Sequence, residues 1–221
     1  MRRYSFSDLE LPENRRELVD ALKSGQIMAY PTDTLYGLGG RADMETVCRS
    51  IDRLKTRPEG QVYSVALSSI SMLDKIIHCD DPQEKALMKS ILPGPYTIVV
   101  RLKERYRIPV NQYGETLGIR IPLLPLIQKL IEEIGTPLIT TSVNRSGEPA
   151  LTDPDSIAKQ FPSIHLLIDA GNRVNQPPST LLDISRGQPF SILRRGAGLE
   201  QLASIMEQLN LSWTFPSGTV P

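Results

Sequence analysis

Along the segment PTDTLYGLGG, residues 31–40, the oxygen-bearing side chains of Thr32, Asp33 and Thr34 precede Gly37, Gly39 and Gly40. Hydroxyls beside bare backbone can meet a small polar ligand at close range. A polar turn whose glycines supply positive φ is the commoner use of so short a stretch. The segment is neither GxGxxG nor GxxxxGK[ST], so the standard nucleotide fingerprints are absent.

Further groups have the right types for binding anions. Lys55 and Arg57 stand two apart just past a helix end, where they can grip a phosphate chain, although cations at helix ends are also favoured by the macrodipole alone. In TTSVN, strand periodicity points Thr140, Ser142 and Asn144 to one face, and three hydrogen-bonding groups in register after an apolar PLI exceed what a solvated strand end needs. Arg120 lies between apolar residues in GIRIP and requires an anionic partner, either a neighbouring carboxylate of the chain or that of a substrate. Ser179 and Thr180 open a strand, and Arg194 and Arg195 end one before Gly196.

HExxH, GxSxG and metal-spaced Cys/His clusters are all missing, and His78 and His165 lie far along the chain from these groups. Histidine general-base chemistry and a protein-ligated metal are therefore not expected. The inventory of hydroxyls, amides and cations suits the binding of phosphates and carboxylates, in a site that works by positioning and charge neutralisation.

The elements that must hold these groups alternate. Helices are expected over ENRRELVDALKSG with Gly25 as C-terminal cap, over DMETVCRSIDRLK, from the cap Asp81 to Leu92, over LPLIQKLIEEIG and over DPDSIAKQF. QIMAY, QVYSVAL, YTIVVRL, LGIRIP, TPLITTSVN, HLLID, STLLDI and FSILRR are expected as strands. This pattern predicts a single α/β domain with a mixed sheet, over residues 1–208, and a flexible tail over 209–221. The 221 residues can bury a full core, and Lys plus Arg equals Asp plus Glu at 25 each, so there is no global charge to drive nucleic-acid binding. With no apolar run long enough for a signal peptide or a membrane span, a cytoplasmic protein is expected. Cys48 falls on an apolar helix face and is expected in the core; Cys79 has no partner by spacing.

Taken in order, PTDTLYGLG, K-x-R, PGPYT, the GIRIP arginine, SVN followed by SG, and ST-LLD with ILRRG resemble the YrdC/YciO family across almost the whole chain. The resemblance implies an open, twisted, mixed β-sheet flanked by helices, with a concave electropositive face. It implies a nucleotidyltransferase that condenses L-threonine, bicarbonate and ATP, with Mg²⁺, to threonylcarbamoyl-AMP and pyrophosphate for threonylcarbamoyladenosine formation on tRNA. Carried over residue by residue, it assigns Lys55, Arg57, Ser142 and Asn144 to the nucleotide, with Lys55 and Arg57 as the catalytic cations. Gln61 and Arg194 stand on the nucleotide side as well. Thr34, Arg120, Thr140 and Ser179 fall on threonine-holding positions, with Arg120 on the carboxylate. Partners implied are tRNA or double-stranded RNA and other threonylcarbamoylation proteins.

The chain departs from the synthase pattern after K-x-R-P: Gln61 replaces an asparagine and Ala66 stands where a histidine is usual, so this segment is more like the YciO branch. An RNA- or nucleotide-binding paralogue without efficient turnover is the second reading. Replacing Lys55 or Arg57 is expected to weaken ATP binding while leaving fold stability nearly unchanged.

Overall fold

The computed structural model describes residues 1–56, 63–104, 106–111, 114–174 and 176–216. In chain order the elements are β1 (Arg2–Ser5), α1 (Phe6–Glu10), α2 (Pro12–Lys23), β2 (Met28–Pro31), β3 (Tyr36–Gly39), α3 (Glu45–Lys55), β4 (Ser64–Ala66), α4 (Ile70–Ile76), α5 (Pro82–Ile91) and β5 (Tyr96–Arg101). They continue with β6 (Thr116–Arg120), α6 (Pro125–Ile134), β7 (Leu138–Ser142), α7 (Pro154–Gln160), β8 (Leu166–Asp169), β9 (Thr180–Asp183), β10 (Phe190–Arg194), α8 (Leu199–Gln208) and β11 (Trp213–Thr214). Local chemistry sets many of these boundaries. Asp81 caps α5 by accepting from Gln83 N, Gly135 ends α6 at φ 82°, and Gly25 follows α2 at φ 92°.

Among the described residues, eleven strands form one sheet in the order β1-β8-β2-β3-β7-β4-β6-β5-β9-β10-β11, with parallel and antiparallel neighbours mixed. The result is the expected mixed α/β architecture, a large, open, twisted sheet flanked by helices. One face is covered along its length by α3, α4, α5 and α8, through residues such as Ile51, Leu73, Leu87 and Leu202 packed on Leu38, Ile98, Ile119, Ile139 and Leu182. On the other face α1, α2 and α6 cover only part of the sheet, burying Met28, Tyr30, Ala66 and Leu138. Strand alternation then puts Ser64, Thr97, Arg120 and Thr140 beyond the edge of that cover.

Gly37, Gly39 and Gly40 are not positive-φ turn residues. β2 and β3 instead form a hairpin in which Tyr30 pairs with Gly37 and Met28 with Gly39. A Cβ on Gly39 would lie 2.0 Å from the Ile139 carbonyl oxygen, and one on Gly37 would lie 3.1 Å from the Tyr30 ring. The glycines let β3 press against β2 and β7, which brings the Thr32–Leu35 loop to the ends of both strands. The two threonine hydroxyls then fix that loop: Thr32 Oγ1 donates to Leu35 O at 2.7 Å and accepts from Thr34 N at 3.2 Å.

Residues 209–216, expected as the start of a loose tail, are partly docked. Trp213 pairs in register with Phe190, Leu211 is buried, and the Arg195 guanidinium stacks 4.1 Å from the centroid of the Phe215 ring. Apolar and aromatic side chains at alternate positions 211, 213 and 215 make this segment an edge strand. The elements β1, α1, β3, α4 and α8 were not expected from the sequence either.

Candidate functional site

Where the second face lacks helices, a cavity of about 530 Å³ opens over the ends of β2, β3, β4, β5, β6, β7 and β9. Its walls are polar, with Thr32, Thr34, Ser64, Thr97, Arg120, Thr140, Thr141, Ser142, Asn144, Ser179 and Arg194 among them. Of the residues singled out by sequence, the cavity thus gathers Thr34, Arg120, Thr140, Ser142, Asn144, Ser179 and Arg194. Lys55 lies against it. Arg57 and Gln61 lie outside the described residues.

At one end sits Arg120, its side chain only 8% exposed, with Nη2 2.5 Å from Asp33 Oδ1 and 3.4 Å from Thr34 Oγ1. The carboxylate partner is therefore supplied by the hairpin loop. Arg194 reaches the same end from β10, donating through Nη2 to Ser179 Oγ at 3.0 Å and through Nε to Ser179 O at 3.1 Å. Desolvation, and then the positive charge of Arg120, push the Arg194 pKa below its usual value. Two guanidinium groups facing one cavity in this way make it receptive to an anion.

Ser179 links the two walls, because its hydroxyl also lies 2.8 Å from Thr97 Oγ1 on β5. Thr97 is 5% exposed, so Ser179→Ala should leave that hydroxyl short of a partner and lower stability by about 1–2 kcal/mol. Urea denaturation of native and variant chains measures the difference.

The other end is built on Lys55, which is 4% exposed at the close of α3. Its Nζ donates to Ser142 O at 2.6 Å, Asn144 O at 3.0 Å and Asn144 Oδ1 at 2.8 Å. Ser142 Oγ donates to the same Asn144 Oδ1 at 2.6 Å, and Asn144 Nδ2 donates to Glu148 O at 2.6 Å. Thr140, Ser142 and Asn144, expected on one strand face, all line the cavity, as does Thr141 between them, and Asn144 lies two residues past the end of β7, where Lys55 holds it. Thr56 turns the chain at φ 52°, left-handed, immediately after Lys55.

Sequence reasoning missed Ser64, Thr97, Thr141 and Tyr63 as cavity residues. Ser64 was within reach, since it shares a strand face with Ala66 two residues on. Ala66 itself is fully buried beneath α6 among Ile127, Leu130 and Leu138, and Ser64 is the β4 residue that reaches the cavity. Tyr63 donates to the buried Asp52 at 2.5 Å, tying β4 to α3. Burial pushes the thiols of Cys48 and Cys79 up to about 11, so neither is a thiolate nucleophile at neutral pH. His165 is engaged in structure, accepting from Ile27 N at 3.2 Å.

Residues 20–196 match a family model named Sua5/YciO/YrdC and described as "Telomere recombination". The human threonylcarbamoyl-AMP synthase is 33% identical over 202 residues, 89% of this chain and 72% of that protein. The crystal structure of Pyrococcus abyssi Sua5 complexed with L-threonine superposes with a TM-score of 0.83 at 26% identity, covering 96% of this chain and 62% of the other. That of Escherichia coli YciO gives a TM-score of 0.76 at 26% identity, with 86% and 92% covered. This chain thus spans less than two thirds of the archaeal protein.

Proposed function

The chain belongs to the Sua5/YciO/YrdC family, and from that membership we propose that it is a threonylcarbamoyl-AMP synthase acting on L-threonine, bicarbonate and ATP. The observation that carries this reading is the division of one cavity. Arg120, Thr34, Thr140 and Ser179 lie at an end suited to a small hydroxylated amino acid, while Ser142 and Asn144, held by Lys55, lie at an end suited to a nucleotide.

In this reading the amine of threonine adds to bicarbonate with loss of water, giving a carbamate. A carbamate oxygen then attacks the α-phosphorus of ATP, and pyrophosphate leaves. The chain's own groups act by position and charge. Arg120 holds the α-carboxylate, the hydroxyls of Thr34, Thr140 and Ser179 frame the side chain, and Lys55, Arg57, Gln61, Ser142 and Asn144 hold the nucleotide, which Arg194 meets from beside Ser179, where the amino acid and the nucleotide join. Lys55 and Arg57 offset the charge that develops as pyrophosphate departs. No group of three or more His, Cys, Asp or Glu among the described residues could hold a metal ion, so Mg²⁺ belongs in this scheme to the incoming triphosphate.

The product is an activated acyl donor, which places the reaction ahead of threonylcarbamoyl transfer to tRNA, with other threonylcarbamoylation proteins and RNA as partners. No helix among the described residues is long and apolar enough to cross a membrane, and we assign the protein to the cytoplasm. Residues 1–208 are taken as the catalytic domain.

The test is pyrophosphate release. Turnover that requires both threonine and bicarbonate is the expected result. RNA binding that weakens steeply with salt, without such turnover, would instead support a binding paralogue. That second reading draws on Ala66, which brings no polar group to the cavity.

A further inference from the structure

Arg194 and Arg195 are neighbours at the end of β10, yet it is Arg194 that lines the cavity, and plain strand alternation would give the opposite arrangement. Phe190 and Ile192 are fully buried on the helix-covered face, so an unbroken strand would send Arg194 after them. The strand is broken. Ile192 pairs with Leu182 and Arg194 with Leu181, adjacent residues of β9, so Leu193 is one residue too many and its side chain is exposed. Such a bulge reverses the alternation. Arg194 then shares the face of Leu181, which lines the cavity, and its guanidinium reaches Ser179. The same reversal turns Arg195 to the helix-covered side, where its guanidinium carbon lies 4.1 Å from the centroid of the Phe215 ring. Phe215 packs against the core there and meets Trp213 edge-to-face, with ring centroids 5.4 Å apart.

We infer that Phe215 is a positioning residue for the cavity: by holding Arg195 on the helix-covered side, it keeps the bulge in the register that aims Arg194 at Ser179. For its effect on binding the inference rests on the proposed nucleotide role of Arg194. The ladder between β10 and β11 ends at the pair Ser191 and Thr214, so the stack carries the support of β11 past the bulge. Beyond Arg195 the chain is pinned again, because Ala197 N donates to Pro178 O at 2.8 Å and a Cβ on Gly196 would lie 2.2 Å from that oxygen. The bulge spans these two fixed points. With the Leu193 side chain exposed, the cation over the Phe215 ring is the side-chain contact that fixes which way the bulge turns. The C-terminal edge strand thereby belongs to the machinery of the site.

The experiment follows exchange with water of the Arg194 Nε–H, which donates to Ser179 O, by NMR of the full chain, with the Ile139 amide, bonded to Gly40 O, as the reference for global opening. Loss of the signal in Arg194→Lys assigns it. Phe215→Leu, which keeps an apolar side chain without the ring, should speed exchange at Arg194 about threefold or more and leave Ile139 protected, whereas Phe215→Tyr should keep the native rate. Affinity for a non-hydrolysable ATP analogue should fall about threefold in Phe215→Leu, and adding Arg194→Ala to that variant should give the affinity of Arg194→Ala alone. Unchanged exchange in Phe215→Leu overturns the inference, as does an equal rise at Ile139, a loss of protection in Phe215→Tyr, or additive losses in the double variant. Faster exchange at Arg194, with nucleotide affinity untouched even in Arg194→Ala, would uphold the positioning role and remove Arg194 from the nucleotide. Affinity lost in Arg194→Ala, with Arg194 still protected in Phe215→Leu, would sink the positioning role alone.

Discussion

Arg120→Ala should remove threonine use almost completely, lowering the affinity for an α-carboxylate by about 100-fold or more, as expected when about 3 kcal/mol of charge-assisted contact is lost from a buried site. The variant should also unfold more easily. Arg120 is buried and the Asp33 side chain is only 10% exposed, and deleting the cation leaves that carboxylate without its ion-pair partner, at a cost of about 3 kcal/mol. The double variant Arg120→Ala with Asp33→Asn separates the two effects. Stability, followed by urea denaturation, should recover much of the loss because no unpaired charge remains, while amino-acid binding should stay absent because the donor to the carboxylate is gone. Full recovery of binding in the double variant would take Arg120 out of the site. Unchanged binding in the single variant would do the same.

Lys55→Ala is expected to damage both the fold and the nucleotide end. The sequence alone suggests a helix-end cation whose loss the fold would hardly register. The structure corrects this, because the ammonium is 4% exposed and donates to Ser142 O, Asn144 O and Asn144 Oδ1. Removing it strands acceptors at the end of β7 and frees the loop that carries Asn144, a loss of about 2–4 kcal/mol in stability. Affinity for a non-hydrolysable ATP analogue should fall at least about tenfold, since Ser142 and Asn144 lose their common brace as well as the charge. Lys55→Met, which keeps the aliphatic stem, should recover packing but neither the hydrogen bonds nor the nucleotide affinity. If Lys55→Ala is as stable as the native chain, the bracing role fails. If it is unstable yet binds the analogue normally, Lys55 is structural only.

Several features of the site are legible in the chain itself. A strand period of two assigns Thr140, Ser142 and Asn144 to one face before any neighbour is known, and the cavity contains all three. An arginine flanked by isoleucines must find an anion, and Arg120 has one. The caps at Asp81, Gly25 and Gly135 and the helical spacing of Val47, Cys48 and Ile51 are likewise local, because each depends on residues within a turn or two.

Which anion meets Arg120 is decided elsewhere. Asp33 lies 87 positions away, and the two meet because β2 and β3 fold into a hairpin beside β7 while β6 enters next to β4. Ser179 and Thr97, 82 positions apart, meet only when β9 pairs in parallel with β5. The glycines of YGLGG show the same limit. Their sequence admits a turn or a close approach, and only the 2.0 Å that a Cβ on Gly39 would leave to the Ile139 carbonyl shows that close strand packing requires them. Period and composition determine which face a side chain takes and what partner chemistry it needs. The order of strands across a sheet is set by the burial of whole faces and by long connections, and only the tertiary structure decides which distant groups come to share a cavity.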